Sequence, residues 1–216
     1  MIKRKENKID EILQARILYY DFFAGLFTYD LLLEREILLK EQIKLLKQEP
    51  IADISHFEAI ENEINANGVK NLIFEYTYLF MLPFNPNIKD EIKEGLSRKK
   101  GKRKMENKDA VILYLSYYLD KTIAGGGLIL AKSKVKKSKF RLNEKSFKEN
   151  EEHFGFLLVF MKNLLQNNEF ELFDETFIDC LKPMQDSIIE GLKRRKESLY
   201  SHIAYILESF LELESA

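Results

Sequence analysis

An all-α fold, a globular helical bundle, is what this sequence predicts, and three observations predict it. Leu, Ile, Lys and Glu dominate, while Gly and Pro number only 9 and 4, a mixture that favours helices over a turn-rich β protein. Apolar residues recur at steps of three and four along most of the chain, and no stretch shows a convincing alternation of period two. Hydrophobic residues make up 45% of 216 positions, enough for a real core and too many for a disordered chain. About eight to ten helices are expected, and no internal repeat is visible.

The elements follow in order. Residues 9–27 place Ile9, Ile12, Leu13, Arg16, Ile17, Tyr20, Phe23, Ala24 and Phe27 on one helical face. A second helix is expected over 31–47, ahead of Pro50. Asp53 restarts a helix that Asn67-Gly68 ends. Val69, Leu72, Ile73, Tyr76, Leu79 and Phe80 form the next stripe, which Pro83 and Pro86 break. The basic run RKKGKRK at 98–104 reads as a loop, and a helix is expected over 108–123. The glycines of Ala124–Gly127 read as a hinge or a helix stop. Lys132–Arg141 is a second basic stretch without a clear period. Ser146 and Glu149 have capping-box spacing, and Asn150 is an alternative cap for a greasy helix running to about 167. A short helical piece over 170–181 precedes Pro183, and one long helix closes the chain, with Leu192, Leu199, Ile203, Ile206, Phe210 and Leu213 inward.

Charge and cysteine content narrow the function classes. Lys+Arg is 34 and Asp+Glu 35, so nothing global demands nucleic acid or a membrane as partner. The single cysteine, Cys180, precludes an intrachain disulfide. The opening MIKRKENKID has no apolar segment behind it, so no secretory signal is expected. No apolar run reaches the length of a membrane span. A reducing cytoplasm is the expected location.

Few residues suggest catalysis. His56, His153 and His202 stand far apart and outside any metal-binding spacing, so no metal and no cofactor is expected. Cys180 lies in an apolar helical face and reads as inert core. The glycine run lacks the context of a phosphate cradle. The basic runs carry few aromatic residues and read as solvated loops. The alternative is a nucleic-acid or phosphate-binding helical protein that uses Lys99, Lys100, Lys102 and Arg103. The knot Glu151-Glu152-His153 leads the helix FGFLLVFMKNLL. It reads either as a cap acid with a half-buried, neutral histidine or as the polar lip of a peptide site, with Glu152 the more exposed of the pair.

Four segments together carry a resemblance. EYTYLFMLPFNP at 75–86 resembles the E-Y-x-x-L-F-x-x-P signature of the TorD/DmsD/NarJ family of molybdoenzyme maturation chaperones. NEEHFGFLLVFMKNLL resembles the family's acid-His segment, with Glu152 where the family usually has Asp. The tail SLYSHIAYILESFLELE, preceded by Leu181-Lys-Pro183, is similar to the family's closing helix, and ARILYYDFFAGLF to its opening one.

The resemblance implies a single TorD-like domain over 1–216, or two helical lobes, about 1–124 and 146–216, joined by a basic, glycine-containing linker. It implies a cytoplasmic chaperone and not an enzyme. Its partners would be the leader peptide, often twin-arginine, and the apo-subunit of a molybdenum oxidoreductase, with no nucleic acid and no stable membrane insertion. It would work as a monomer or a domain-swapped homodimer. Tyr76, Leu79, Phe80 and Pro83 would line the peptide site, with Glu152 and His153 at its polar end and Glu75, Asp174 and Glu175 as further acidic partners. Which molybdoenzyme is the client stays open.

Overall fold

The computed structural model describes residues 2–81, 111–141 and 148–215, with side chains from residue 9 onward. Pro83, Phe84, Pro86, the basic run 98–104 and Ser146 lie outside the described residues. The described chain is helical throughout, apart from turns and one extended segment. We label the helices α1 (Ile2–Phe27), α2 (Tyr29–Glu34), α3 (Glu36–Leu46), α4 (Ile54–Asn67), α5 (Lys70–Tyr76), α6 (Leu115–Asp120), α7 (Gly126–Lys137), α8 (Phe154–Gln166), α9 (Phe170–Thr176), α10 (Lys182–Lys193) and α11 (Leu199–Glu214). Two π-helical segments, Thr77–Met81 and Phe177–Leu181, continue α5 and α9.

The C-terminal part of α1, from Tyr19 on, and α8 run through the centre because they are apolar on nearly every face. Tyr19, Tyr20, Phe22, Phe23, Ala24, Leu26 and Phe27 of α1 are buried, as are Phe154, Phe156, Leu157, Leu158, Phe160, Met161, Leu164 and Leu165 of α8. The rings of Phe27 and Phe154 meet edge to face at 5.1 Å, a contact that adds about 0.5–1.5 kcal/mol to the area it buries. The core is one cluster in which α1 lies on α8 and α4 lies on α11. The first and last parts of the chain are therefore interleaved. The segment expected as a linker contains α7, packed on α6.

Polar pins fix the surround. Arg16, part of the α1 stripe, reaches Glu214 with both Nε and Nη2, at 2.7 and 3.0 Å, and Tyr20 Oη donates to the same carboxylate. Asp21 accepts from Arg35, Gln42 and Lys162, which ties α1 to α3 and α8. These bonds to Lys162 and Arg35 outweigh burial and hold the Asp21 carboxyl below its usual range.

Several boundaries differ from the expected ones. Helix 31–47 is two helices, broken at Arg35. The closing helix is broken between Lys193 and Leu199, where Ser198 caps α11 and Glu75 of α5 accepts from Ser198 Oγ, Leu199 N and Tyr200 N. Pro183 does not end the helical run before it; it sits in the first turn of α10, where a missing N–H costs nothing. The second basic stretch is helical as far as Lys137, because Ala131, Lys134 and Val135 share a buried side. Lys134 is only 4% exposed and is held there by Glu175 and Asp179.

The largest difference is at 111–114, expected as helix and found extended. Val111, Leu113 and Leu115 are buried while Ile112 and Tyr114 are partly exposed, the alternation of a half-buried strand. Phe154 N donates to Leu113 O at 2.7 Å, and Leu115 N to Glu152 O at 3.1 Å, an antiparallel bridge between Tyr114 and His153. On the other side Val111 N donates to Leu79 O. This short extended segment thus joins the π-helical end of α5 to the start of α8.

Candidate functional site

The knot ahead of α8 is built by its backbone needs. Asn150 Oδ1 accepts from Glu152 N, and Asn150 O from His153 N, which closes a tight turn. His153, not Asn150, is the N-cap of α8. It is extended at φ −70, ψ 134, and its Nδ1 accepts from Gly155 N at 3.2 Å. An imidazole can fill this role only when Nδ1 carries no proton. Burial, the largest influence, holds His153 below its usual pKa, against the upward pull of Glu149 and Glu152. The expectation of a neutral histidine agrees with this direction, with burial as the main cause.

Glu152 is not the exposed lip. It is fully buried. Oε2 accepts from Ser116 N at 2.7 Å and Oε1 from Ala124 N at 2.8 Å. One carboxylate therefore satisfies a donor in the first turn of α6 and another in the α6–α7 turn, where Lys121 and Ala124 have positive φ. The tight turn lets α7 approach α6 so closely that a Cβ on Gly127 would stand 2.4 Å from Ser116 N. Gly127 is required by that approach.

Tyr76 and Phe80 do meet His153 around a common hollow. Tyr76, Phe80, Met81, Leu113, Tyr114, Glu149 and His153 line a space of about 160 Å³, room for one large side chain. The π-helical turn sets the register of Phe80 and Met81 after α5, and Thr77 Oγ1 donates to Ile73 O at its start. Such segments interrupt helices mostly where function asks for it. Tyr76 and Phe80 meet at 4.9 Å, and Tyr200 of α11 packs behind Phe80 at 5.1 Å. Leu79 is buried in the core and does not line the hollow.

The acid at the hollow is Glu149, which sequence reasoning used only as a capping-box partner. Its Oε2 accepts from Tyr114 Oη at 2.9 Å, its side chain is 26% exposed, and it stands 4.0 Å from His153 Nε2. Tyr114 stands edge to face on His153 at 5.1 Å, and burial with Glu149 beside it pushes the phenol well above its usual pKa. The hollow therefore offers aromatic walls, one neutral imidazole and one carboxylate. Of the other acids named as partners, Glu75 is spent on the α11 cap and Glu175 on Lys134 and Lys137.

Nothing in this chemistry resembles a nucleophile with its base. Burial pushes the Cys180 thiol up to about 12, so it stays protonated at neutral pH. Among the described residues no group of three or more His, Cys, Asp or Glu could hold a metal ion. Among them, too, no helix is long and apolar enough to cross a membrane.

No curated protein and no solved structure matches the chain. Residues 104–206 match the family model described as nitrate reductase delta subunit. That span contains the extended segment with Tyr114, the turn with Glu149 and His153, and the first half of α11 with Tyr200, so it covers one wall of the hollow and the ring behind it. This match supports the resemblance of the chain to the NarJ/TorD-type chaperone family.

Proposed function

We propose that this chain is a maturation chaperone that receives the leader peptide, of twin-arginine type, or the apo form of a molybdoenzyme subunit at the Tyr76–Phe80–Glu149–His153 hollow, and that it assists cofactor insertion and export proofreading in the cytoplasm. The family is associated with molybdoenzyme maturation. The observation that carries the reading is the meeting, in one hollow, of two sequence-distant segments with complementary character: aromatic rings from α5 and its π-helical end, and a carboxylate from the turn before α8.

A twin-arginine leader has cations followed by an apolar run. A guanidinium can stack on an aromatic face and pair with a carboxylate in the same place. Glu149 is the carboxylate positioned for this, while Glu152 acts from beneath by holding the α6–α7 turn. Apolar leader residues would add about 25 cal/mol for each Å² they bury. The proposed peptide site also includes Pro83, which lies outside the described residues.

Calorimetric titration of the purified chain with a synthetic leader tests the reading. Phe80→Ala and Glu149→Gln should each weaken binding about tenfold or more, with circular dichroism unchanged. Leader binding unaffected by either change would refute it.

A further inference from the structure

Two of the three histidines, 146 positions apart, face each other across the seam between α4 and α11. His56 Nδ1 lies 2.9 Å from His202 Nδ1. The ring centroids are only 5.2 Å apart, so each nitrogen lies close to the line between the rings. The lone pairs point head-on. That arrangement suits a single shared proton and is poor for a metal ion, which would need both lone pairs to converge on a point off the line.

We propose that His56 and His202 form a proton-sensitive latch that holds α4 to α11 and opens when the pair takes up its second proton. The states follow from imidazole chemistry. In the neutral pair one Nδ1–H donates and the other Nδ1 accepts. A first proton enters at the donor ring's Nε2, leaves the bond in place and makes it charge-assisted. The acceptor ring already carries its proton on Nε2, so a second proton can enter only at its Nδ1. Two N–H groups and two cations would then stand head to head, and the bond is lost. The two sites titrate as a coupled pair.

The surroundings sharpen the response. Tyr205 of α11 stacks flat on His56 at 4.5 Å and 3°. Lys193 of α10 stands over Tyr205 and is ion-paired to Glu208. Asp53, the cap of α4, is the carboxylate that favours the charged His56, and it also accepts from Ser55 N. On the α3 side Lys47 is paired with Glu61 of α4, and on the α5 side Glu75 is bound at the start of α11. Burial, then His202 and Lys193, hold His56 below its usual pKa. Two residues before His202, Tyr200 donates to Leu26 O and backs Tyr76 and Phe80, so the seam lies behind the floor of the hollow.

Long-range proton–nitrogen spectra of the labelled full chain test the latch. Near pH 7.5 the expected pattern is one Nδ1 protonated and one bare, and acid should titrate the pair in two separated steps. Hydrogen exchange of α11 amides, corrected for intrinsic rate, should lose about tenfold protection or more between pH 7 and pH 5, the effect of one pKa unit. His56→Phe, which keeps a ring against Tyr205, should remove the pair's share of that loss and leave only the share that His153 contributes in both chains. Identical nitrogen states in both rings at pH 7.5, independent titration, or an equal loss of protection in His56→Phe would each overturn the proposal. The spectra decide it on the unaltered chain if the variant fails to fold.

Discussion

Glu152 Oε2 accepts from Ser116 N at 2.7 Å, deep beneath the surface that a charged residue ahead of a helix would be expected to face. The same carboxylate holds Ala124 N. It therefore closes the α6–α7 turn and does not greet a ligand. Glu152→Ala leaves the buried Ser116 N without a partner, which costs about 1–3 kcal/mol, and gives up the bond to Ala124 N, which stands nearer water. We expect a loss of about 1–3 kcal/mol in urea unfolding. Glu152→Gln, which keeps one acceptor, should cost less than Glu152→Ala.

Gly155 sets the closest approach of the two central helices. A Cβ there would lie 2.2 Å from Phe27 O and 2.5 Å from Thr28 Oγ1. The first is backbone and cannot move aside without shifting α1. Gly155→Ala should therefore destabilise by about 1–3 kcal/mol, although alanine is the better helix former. A thermal melt no lower than that of the unaltered chain would contradict this packing.

His153 gives the fold a dependence on pH. Its folded pKa is held below the ordinary 6.5 by burial. The unfolded chain therefore binds the proton more readily. The stability this contributes is present above about pH 6.5 and is lost as pH falls from there toward the folded value. Asn is a good helix cap and does not titrate. We expect the unaltered chain to lose more melting temperature than His153→Asn between pH 7 and pH 5. Both carry His56 and His202, so the difference reports His153 alone.

The helical stripes of α1, α4, α8 and α11 were legible in the sequence because one buried face repeats at steps of three and four. Asp53 and Gly68 marked the ends of α4 as expected. What escaped was decided by tertiary contacts. Ile112 and Tyr114 look helical within 108–123, but the backbone of Leu113 is claimed by Phe154; the alternation Val111, Leu113, Leu115 was the available signal. Lys134 read as part of a solvated run, and only Glu175 and Asp179, some 40 positions later, account for its burial. At the hollow, Tyr76, Phe80 and His153 were named in advance from the resemblance. Glu149 and Tyr114 were missed as lining residues, since their meeting depends on the extended segment. The burial of Glu152 could not be read from spacing, because its partners are backbone groups of another turn.

The central claim is that the hollow between the π-helical end of α5 and the turn before α8 receives the client's leader. Site-specific photocrosslinking tests it most directly. A benzophenone side chain in place of Met81, on the wall of the hollow, should crosslink to the leader at or next to its arginine pair, and excess unlabelled leader should suppress the product. The same group in place of Ile129, which is 73% exposed on α7, should give none. Crosslinking from Ile129 with none from Met81 would contradict the account.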